Sequence, residues 1–378
     1  MIVLPNNADI YTSQVTWNDL VSMIRILKHY SLGFHTLPTK SAPVIPGRSS
    51  SFSSYPGTLQ SGDDFYVISS GLATLETTIG NGNNSLYNGI TADGIVLEWI
   101  RSIVANRLAA SGAEWASIFA LFNSGTYNNQ WMIVDYNKFT PGQPLVDGVL
   151  TVVEQIPTLI AHGDTTYVLR NQSYWPSYNI PFFKSVFDLS GNQASVDTYG
   201  DWFTYDHSPR ANIFRRDNVK VTDMSSMIKL MRYNNYQHDE YSACNCTPPF
   251  SAENAIAARS DLNPADGVYP FGALGHRSHA ATDAKITSYE LFKQRQFVAI
   301  GGPPHDDVPA FQWSVSDFRN LTHNGHPDLW VFEPVTQSWN IGALSACIKS
   351  LSGKTFSFLI ENLQLLKLSR LINRNRPD

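Results

Sequence analysis

The chain has 378 residues, 43% of them hydrophobic and 12% aromatic, which is enough for a sizeable core in one large domain or two medium ones and too apolar for wholesale disorder. Its formal net charge of −5 argues against a nucleic-acid partner, because such proteins carry a basic face. No stretch reaches the roughly 18–20 apolar residues that a bilayer-spanning helix needs.

The opening MIVLPNNADI has no basic stretch and only a short apolar run before Pro5, so no signal peptide is expected within this sequence. Residues 16–33, TWNDLVSMIRILKHYSLG, predict a helix: Leu20, Met23, Ile24, Leu27 and Tyr30 share one side, Thr16 or Asn18 caps it, and Gly33 ends it. Residues 34–62 are rich in Pro, Ser and Gly and read as loop, and DFYVISSG (64–71) reads as a strand. In residues 94–112 Val96, Ile100, Val104 and Leu108 step by four ahead of Gly112, the clearest helical pattern in the chain. WMIVDY (131–136) and GVLTVVEQIP (148–157) are apolar on consecutive positions and predict two strands covered on both faces. Thr222-Asp223 caps a later helix whose Met224, Met227, Ile228 and Met231 fill core. Residues 241–310 are rich in Pro, Gly and Ala and read as long ordered loops. The tail from Trp339 has Leu363, Leu366 and Leu371 at helical spacing and a basic end. It carries +4 from Asn340 onward, which leaves −9 for residues 1–339.

Known chemistries leave few marks. Cys244, Cys246 and Cys347 are too few for a disulfide scaffold, and Cys244 and Cys246 can close a small disulfide or stay two thiols. Glycosylation sequons stand at Asn83, Asn171, Asn245 and Asn320, close to the number chance gives in so Asn-rich a chain. The pairs His276/His279 and His323/His326 sit in loop-forming sequence and lack a zinc pattern. No G-x-S-x-G, P-loop or dinucleotide fingerprint occurs, so neither cofactor nor metal is expected. What stands out is density: GTYNNQW, YWPSYNIPFF, DWFTYDHSPRANIFRRD and LMRYNNY interleave aromatics with Asn, Arg and Asp. Aromatic walls with amide and guanidinium donors suit a pocket for a developing oxyanion, or a network that only fixes strand edges.

Several long runs resemble the phospholipase B-like family. They are LPNNADIYTSQVTW (4–17), FSSYPGTLQSGDDFYVISSGLATLETTIGN (52–81), NSGTYNNQWMIVDY (123–136), VVEQIP (152–157), YWPSYNIPFF (174–183), PRANIFRRD (209–217), MRYNNY (231–236), ARSDLNP (258–264), and PAFQWS through PDLWVFEP, ending at Pro334. The resemblance covers about residues 2–338 as one domain, with 339–378 a non-matching tail. It implies an α+β fold, a four-layer αββα sandwich of N-terminal nucleophile hydrolase type. It also implies hydrolysis of acyl ester or amide bonds in a lipid or lipid-amide substrate, no cofactor, and a lysosomal or secreted full-length parent. The nucleophile of that family is a cysteine exposed by self-cleavage, its own α-amino group acting as base. It lies a few residues before LPNN, so the chain as written is expected to be inactive and to have the N-terminal segment of the precursor as partner.

The rest of the implied site maps residue by residue. Where the family often has His before VTW, this chain has Gln14, which bonds but does not titrate. Trp17 walls the pocket, Thr78 is a polar neighbour of the nucleophile, Asn179 donates to the oxyanion, and Arg210 orients the site or the substrate carbonyl. NSGTYNNQW is expected to lead a core strand and bind backbone near the pocket as support. The Gln14 departure favours an alternative, a non-catalytic glycoprotein that keeps the fold as a binding module.

Overall fold

Two antiparallel sheets, each rooted in a different part of the N-terminal third, carry the fold. The computed structural model describes residues 1–339. The first sheet has the order β1 (Ile2–Val3), β2 (Ile10–Asn18), β10 (Ala280–Thr287), β11 (Phe297–Gly301) and β14 (Val335–Gln337). The second runs in sequence order: β3 (Ile26–Ser31), β4 (Ser49–Ser54), β5 (Phe65–Ile68), β6 (Leu72–Thr78), β7 (Asn129–Asp135), β8 (Leu150–Ile156) and β9 (Leu159–Asp164). A short ribbon pairs β12 (Phe311–Gln312) with β13 (Leu329–Trp330). Helices α1 (Glu98–Leu108), α2 (Gly112–Phe119), α3 (Thr166–Gln172), α4 (Lys184–Leu189), α5 (Asn192–Tyr199), α6 (Pro209–Asp217), α7 (Met224–Met231) and α8 (Tyr289–Lys293) complete the described residues.

Strand alternation sets the layers. On β5 and β7, Phe65, Val67, Met132 and Val134 join Ile10 and Phe297 of the first sheet in one buried cluster, with Phe65 edge-on to Phe297 at 5.4 Å. Their neighbours Tyr66, Ile68, Trp131 and Ile133 point the other way and pack on Trp115 and Phe119 of α2. On the far side of the first sheet Tyr11 and Ile286 pack on Ile213 of α6 and Met227, Leu230 and Met231 of α7. The order is helix, sheet, sheet, helix, the expected four-layer αββα sandwich, and residues Met1–Gln337 form one unit. β7 and β8 are buried along their whole length, and Asp223 caps α7 with the methionines in core, both as expected.

Four expectations fail. Residues 16–33 form the end of β2, a single 3-10 turn capped by Asp19, and β3, not a helix. The Ile, Thr, Val and Trp of β2 suit a pleated surface, and pairing with β10 along residues 12–18 overrides the weak helical spacing. Residues 34–62 contain β4, SSSFSS, whose one large apolar side chain hides it from a hydrophobic reading. Its hydroxyls find partners inside, Ser51 with His29 at 2.9 Å and Ser53 with Asp63 at 3.1 Å. Residues 241–310 hold β10, α8 and β11, and β10 lies at the middle of the first sheet. Helix α1 exists but is turned around: Ile100 and Val104 are 36% and 39% exposed, while Glu98, Arg101 and Asn106 are buried. It docks through polar bonds, Trp131 Nε1 to Glu98 at 3.1 Å and Thr74 to Asn106 at 2.9 Å, and Gly112 begins α2 instead of ending α1. The helical expectation for the tail lies outside the described residues.

Burying carboxylates leaves a pH signature. Burial pushes Asp64 and Glu154 up to about 7 each and Glu76 and Glu98 well above the carboxylate range. A raised folded-state pKa means the folded protein keeps protons that the unfolded chain releases. That stability is full below the unfolded value, about pH 4, and is lost as pH rises through about 7. His29 and His326, lowered by burial, oppose this below about pH 6.5, and the Met1 amine, pushed by burial down to about 5, opposes it below about pH 8. Four deeply buried carboxylates outweigh these three groups, so thermal unfolding followed by circular dichroism should have its midpoint higher at pH 5 than at pH 8. A midpoint that rises with pH over that span would mean these groups are ionised when folded.

Candidate active site

β1 pairs with β2 only at Ile10 and Tyr11, and residues 13–18 of β2 line a cavity of about 170 Å3. All five residues singled out from the sequence, Gln14, Trp17, Thr78, Asn179 and Arg210, lie in its wall. Phe214, Met227, Leu230 and Met231 give it an apolar side, and Met1 closes another, its nitrogen 2.9 Å from the Trp175 carbonyl.

Arg210, in the first turn of α6, organises the polar wall. It donates to the Asn179 side-chain oxygen at 2.9 Å and to the Tyr178 carbonyl at 2.8 Å, and its guanidinium lies 4.4 Å from the centre of the Trp17 ring. Burial lowers it to about 10, partly offset by Glu253, so it stays a cation at neutral pH. Trp17 is held in turn by a 3.2 Å bond to the Ile256 carbonyl and stands edge-on to His279. Asn179 has φ of +69°, a left-handed conformation that Asn tolerates better than most residues, and donates to the Thr78 carbonyl at 2.7 Å. Its amide is thereby fixed between β6 and α6, with one N–H not used by that bond.

Gln14 spans the two sheets. Its amide nitrogen donates to the Asp63 carbonyl and, at 3.0 Å, to the Glu76 carbonyl. Beside it lies a charge cluster that sequence reasoning missed. Arg25 and Lys285 meet Asp63 and Asp283, with Arg25 to Asp63 at 2.9 Å and Lys285 to Asp283 at 2.8 Å, all buried or nearly so. NSGTYNNQW behaves as support. Asn123 donates to the Ile156 carbonyl at 2.9 Å, the Ile79 N–H donates to the Asn128 carbonyl at 2.9 Å, and Asn129 is buried opposite Thr78 in the β6–β7 register. Tyr127, unremarked in the sequence, reaches the cavity wall and donates to Glu76 at 2.9 Å. The described cysteines are bonded to each other, Cys244 to Cys246. Of the sequon residues, Asn171, Asn245 and Asn320 are exposed, and Asn83 is part-buried with its amide on the Leu189 carbonyl at 3.1 Å.

The family model of phospholipase B matches residues 1–337. The chain belongs to the phospholipase B family. It is 54% identical over 340 residues to phospholipase B-like 2 of Homo sapiens and of Rattus norvegicus, covering 89% of this chain and 58% of each relative. Phospholipase B-like protein A of Dictyostelium discoideum is 40% identical over 333 residues, 88% of this chain and 55% of that protein. The chain thus spans a little over half the length of these relatives. A solved structure, a mutant of the conjugated bile acid hydrolase from Clostridium perfringens, aligns over 90% of this chain and 96% of that one at 11% identity with a TM-score of 0.39.

Because Gln14 satisfies carbonyls of the loop before β5 and of β6, Gln14→Leu leaves buried acceptors unpaired. Denaturant unfolding should show a loss of about 1–3 kcal/mol. An unchanged free energy would mean that those carbonyls are satisfied without it.

Proposed function

We propose that the chain carries the substrate-binding and oxyanion-stabilising half of a phospholipase B-like acyl hydrolase, which cleaves an ester or amide bond in a lipid. The observation that carries this reading is the convergence of Gln14, Trp17, Thr78, Asn179 and Arg210 on one cavity, although they come from β2, β6, a loop and α6. The cavity pairs an apolar side, suited to an acyl chain, with an amide and an uncompensated guanidinium. Those donors are fixed before any substrate arrives, which is what stabilising a developing oxyanion requires.

The nucleophile in this reading is the cysteine that the family carries shortly before LPNN. The register of β1 on β2, Val3 with Ile10 and Ile2 with Tyr11, supports its placement. Continued past Met1, that antiparallel ladder lays preceding residues beside residues 13–16, in the cavity wall. The thiol attacks the acyl carbon and its proton passes to the cysteine's own amine; the tetrahedral intermediate, its oxyanion held by Asn179 and Arg210, expels the alcohol or amine, which takes that proton and leaves a thioester; water then adds to the thioester, releasing the acid and restoring the thiol. The N-terminal segment of the precursor is the partner in this account. Residence in an acidic lysosome or outside the cell fits the stability expected at low pH and the three exposed sequon residues. No helix of the described residues is long and apolar enough to cross a membrane.

One observation favours the binding-module reading. Gln14 stands at the position the family often gives to His, and its amide is engaged by backbone carbonyls, so it adds no proton transfer. Full-length protein should separate the two. Turnover of a lysophospholipid or its amide analogue is expected, and Asn179→Asp, which keeps the shape, removes the donor and puts a carboxylate beside Arg210, should lower kcat about 100- to 1,000-fold in protein that circular dichroism shows to be folded. Absence of turnover by the folded parent gives the module reading the lead.

A further inference from the structure

Glu154 lies in the middle of β8, in a strand buried at every position, and nothing in the chemistry above uses it. A carboxyl there loses its hydration and needs donors in return. It finds three. The Phe182 N–H donates to one oxygen at 2.6 Å, the Gln130 amide donates to the same oxygen at 2.7 Å, and the Phe183 N–H donates to the other at 3.1 Å. Two of the three donors are backbone groups three and four residues beyond Asn179.

The stretch 174–183 is therefore slung between the sheets. At its start the Trp175 N–H donates to the Met1 carbonyl at 3.0 Å, and Tyr174 bridges to Ile2 of β1. Its far end hangs on Glu154 of the second sheet. Between these anchors Asn179 holds a left-handed backbone and is pinned to Thr78 and Arg210. Three stretches set apart in the sequence, NSGTYNNQW through Gln130, VVEQIP through Glu154 and SYNIPFF through Phe182, meet at this carboxyl.

We propose that Glu154 is a positioning residue for the hydrolytic site, setting the place of the Asn179 amide through the Phe182 and Phe183 N–H groups, with Gln130 as its buttress. Glu154 touches no substrate in this arrangement. A donor shifted by about 1 Å from the developing oxyanion loses on the order of 100-fold in rate while ground-state binding stays, so its signature is a fall in kcat without a matching change in KM. The inference rests on the hydrolase reading only for that kinetic part.

The test uses the full-length protein at pH 8, where Glu154 is ionised and accepts with both oxygens, and Glu154→Gln, which keeps one acceptor and turns a donor towards the backbone N–H groups. Hydrogen exchange by mass spectrometry should rise at least tenfold in 174–183. In the same preparation kcat on a lysophospholipid should fall at least tenfold, with KM within twofold. Unchanged exchange in 174–183 overturns the proposal, as does a twofold or smaller change in kcat where the parent turns over. If the parent has no turnover, the hydrolase reading fails and the exchange result alone decides for or against the anchor. Should Glu154→Gln not fold, Gln130→Leu removes only the buttress, and faster exchange in the same stretch is expected. No change there overturns the proposal.

Discussion

The site depends on a guanidinium that has neutral partners. Arg210 rests on the face of Trp17 and donates to an amide oxygen and a main-chain carbonyl, and among the described residues no carboxylate lies within ion-pairing distance of it. Neutral acceptors and a π-face hold the cation in place without cancelling its charge. Its field falls on the cavity where Asn179 also sits. A carboxylate partner in the same place would have made Arg210 a structural ion pair.

Arg25 and Lys285 meet Asp63 and Asp283 in a fully compensated set between the sheets, and against the cost of burial those two cations hold Asp283 below the usual carboxylate range. Buried pairs of this kind fix geometry more than they add stability. Together with Gln14 they tie the end of β2 to the loop before β5 and to β6, so that Trp17 on one sheet and Thr78 on the other face the same space. One set of charges locks the seam between the sheets, while Arg210 lines the cavity with no carboxylate within ion-pairing distance among the described residues.

How much of this was legible follows from what sequence patterns encode. β7 and β8 were readable because both faces are covered and the apolar runs show it, and α7 because a cap and methionine spacing agree. β4 was not, since a strand whose hydroxyls bond inward to His29 and Asp63 has the composition of a loop. α1 was found but read back to front: hydrophobic spacing assumes that apolar side chains go inward, while Glu98 and Asn106 go inward because Trp131, Thr74 and Trp115 supply partners there. β10 hid in an Ala-rich run whose place in the first sheet is set by pairing with β2, far away in sequence. The five wall residues were reached through family resemblance and not through any local pattern, for none carries a motif of its own. Glu154 did have a local sign, a lone acid inside an apolar strand, and such a residue needs a partner.

The measurement that bears most directly on the central claim is covalent labelling of the full-length protein with a lipid-like β-lactone, followed by mass-spectrometric mapping of the acylated residue. The account predicts acylation of the cysteine just before the LPNN segment, and much slower labelling in Asn179→Asp. Labelling at a residue remote from the cavity, or labelling of that cysteine at an unchanged rate in the variant, would contradict the assignment of this cavity as the hydrolytic site.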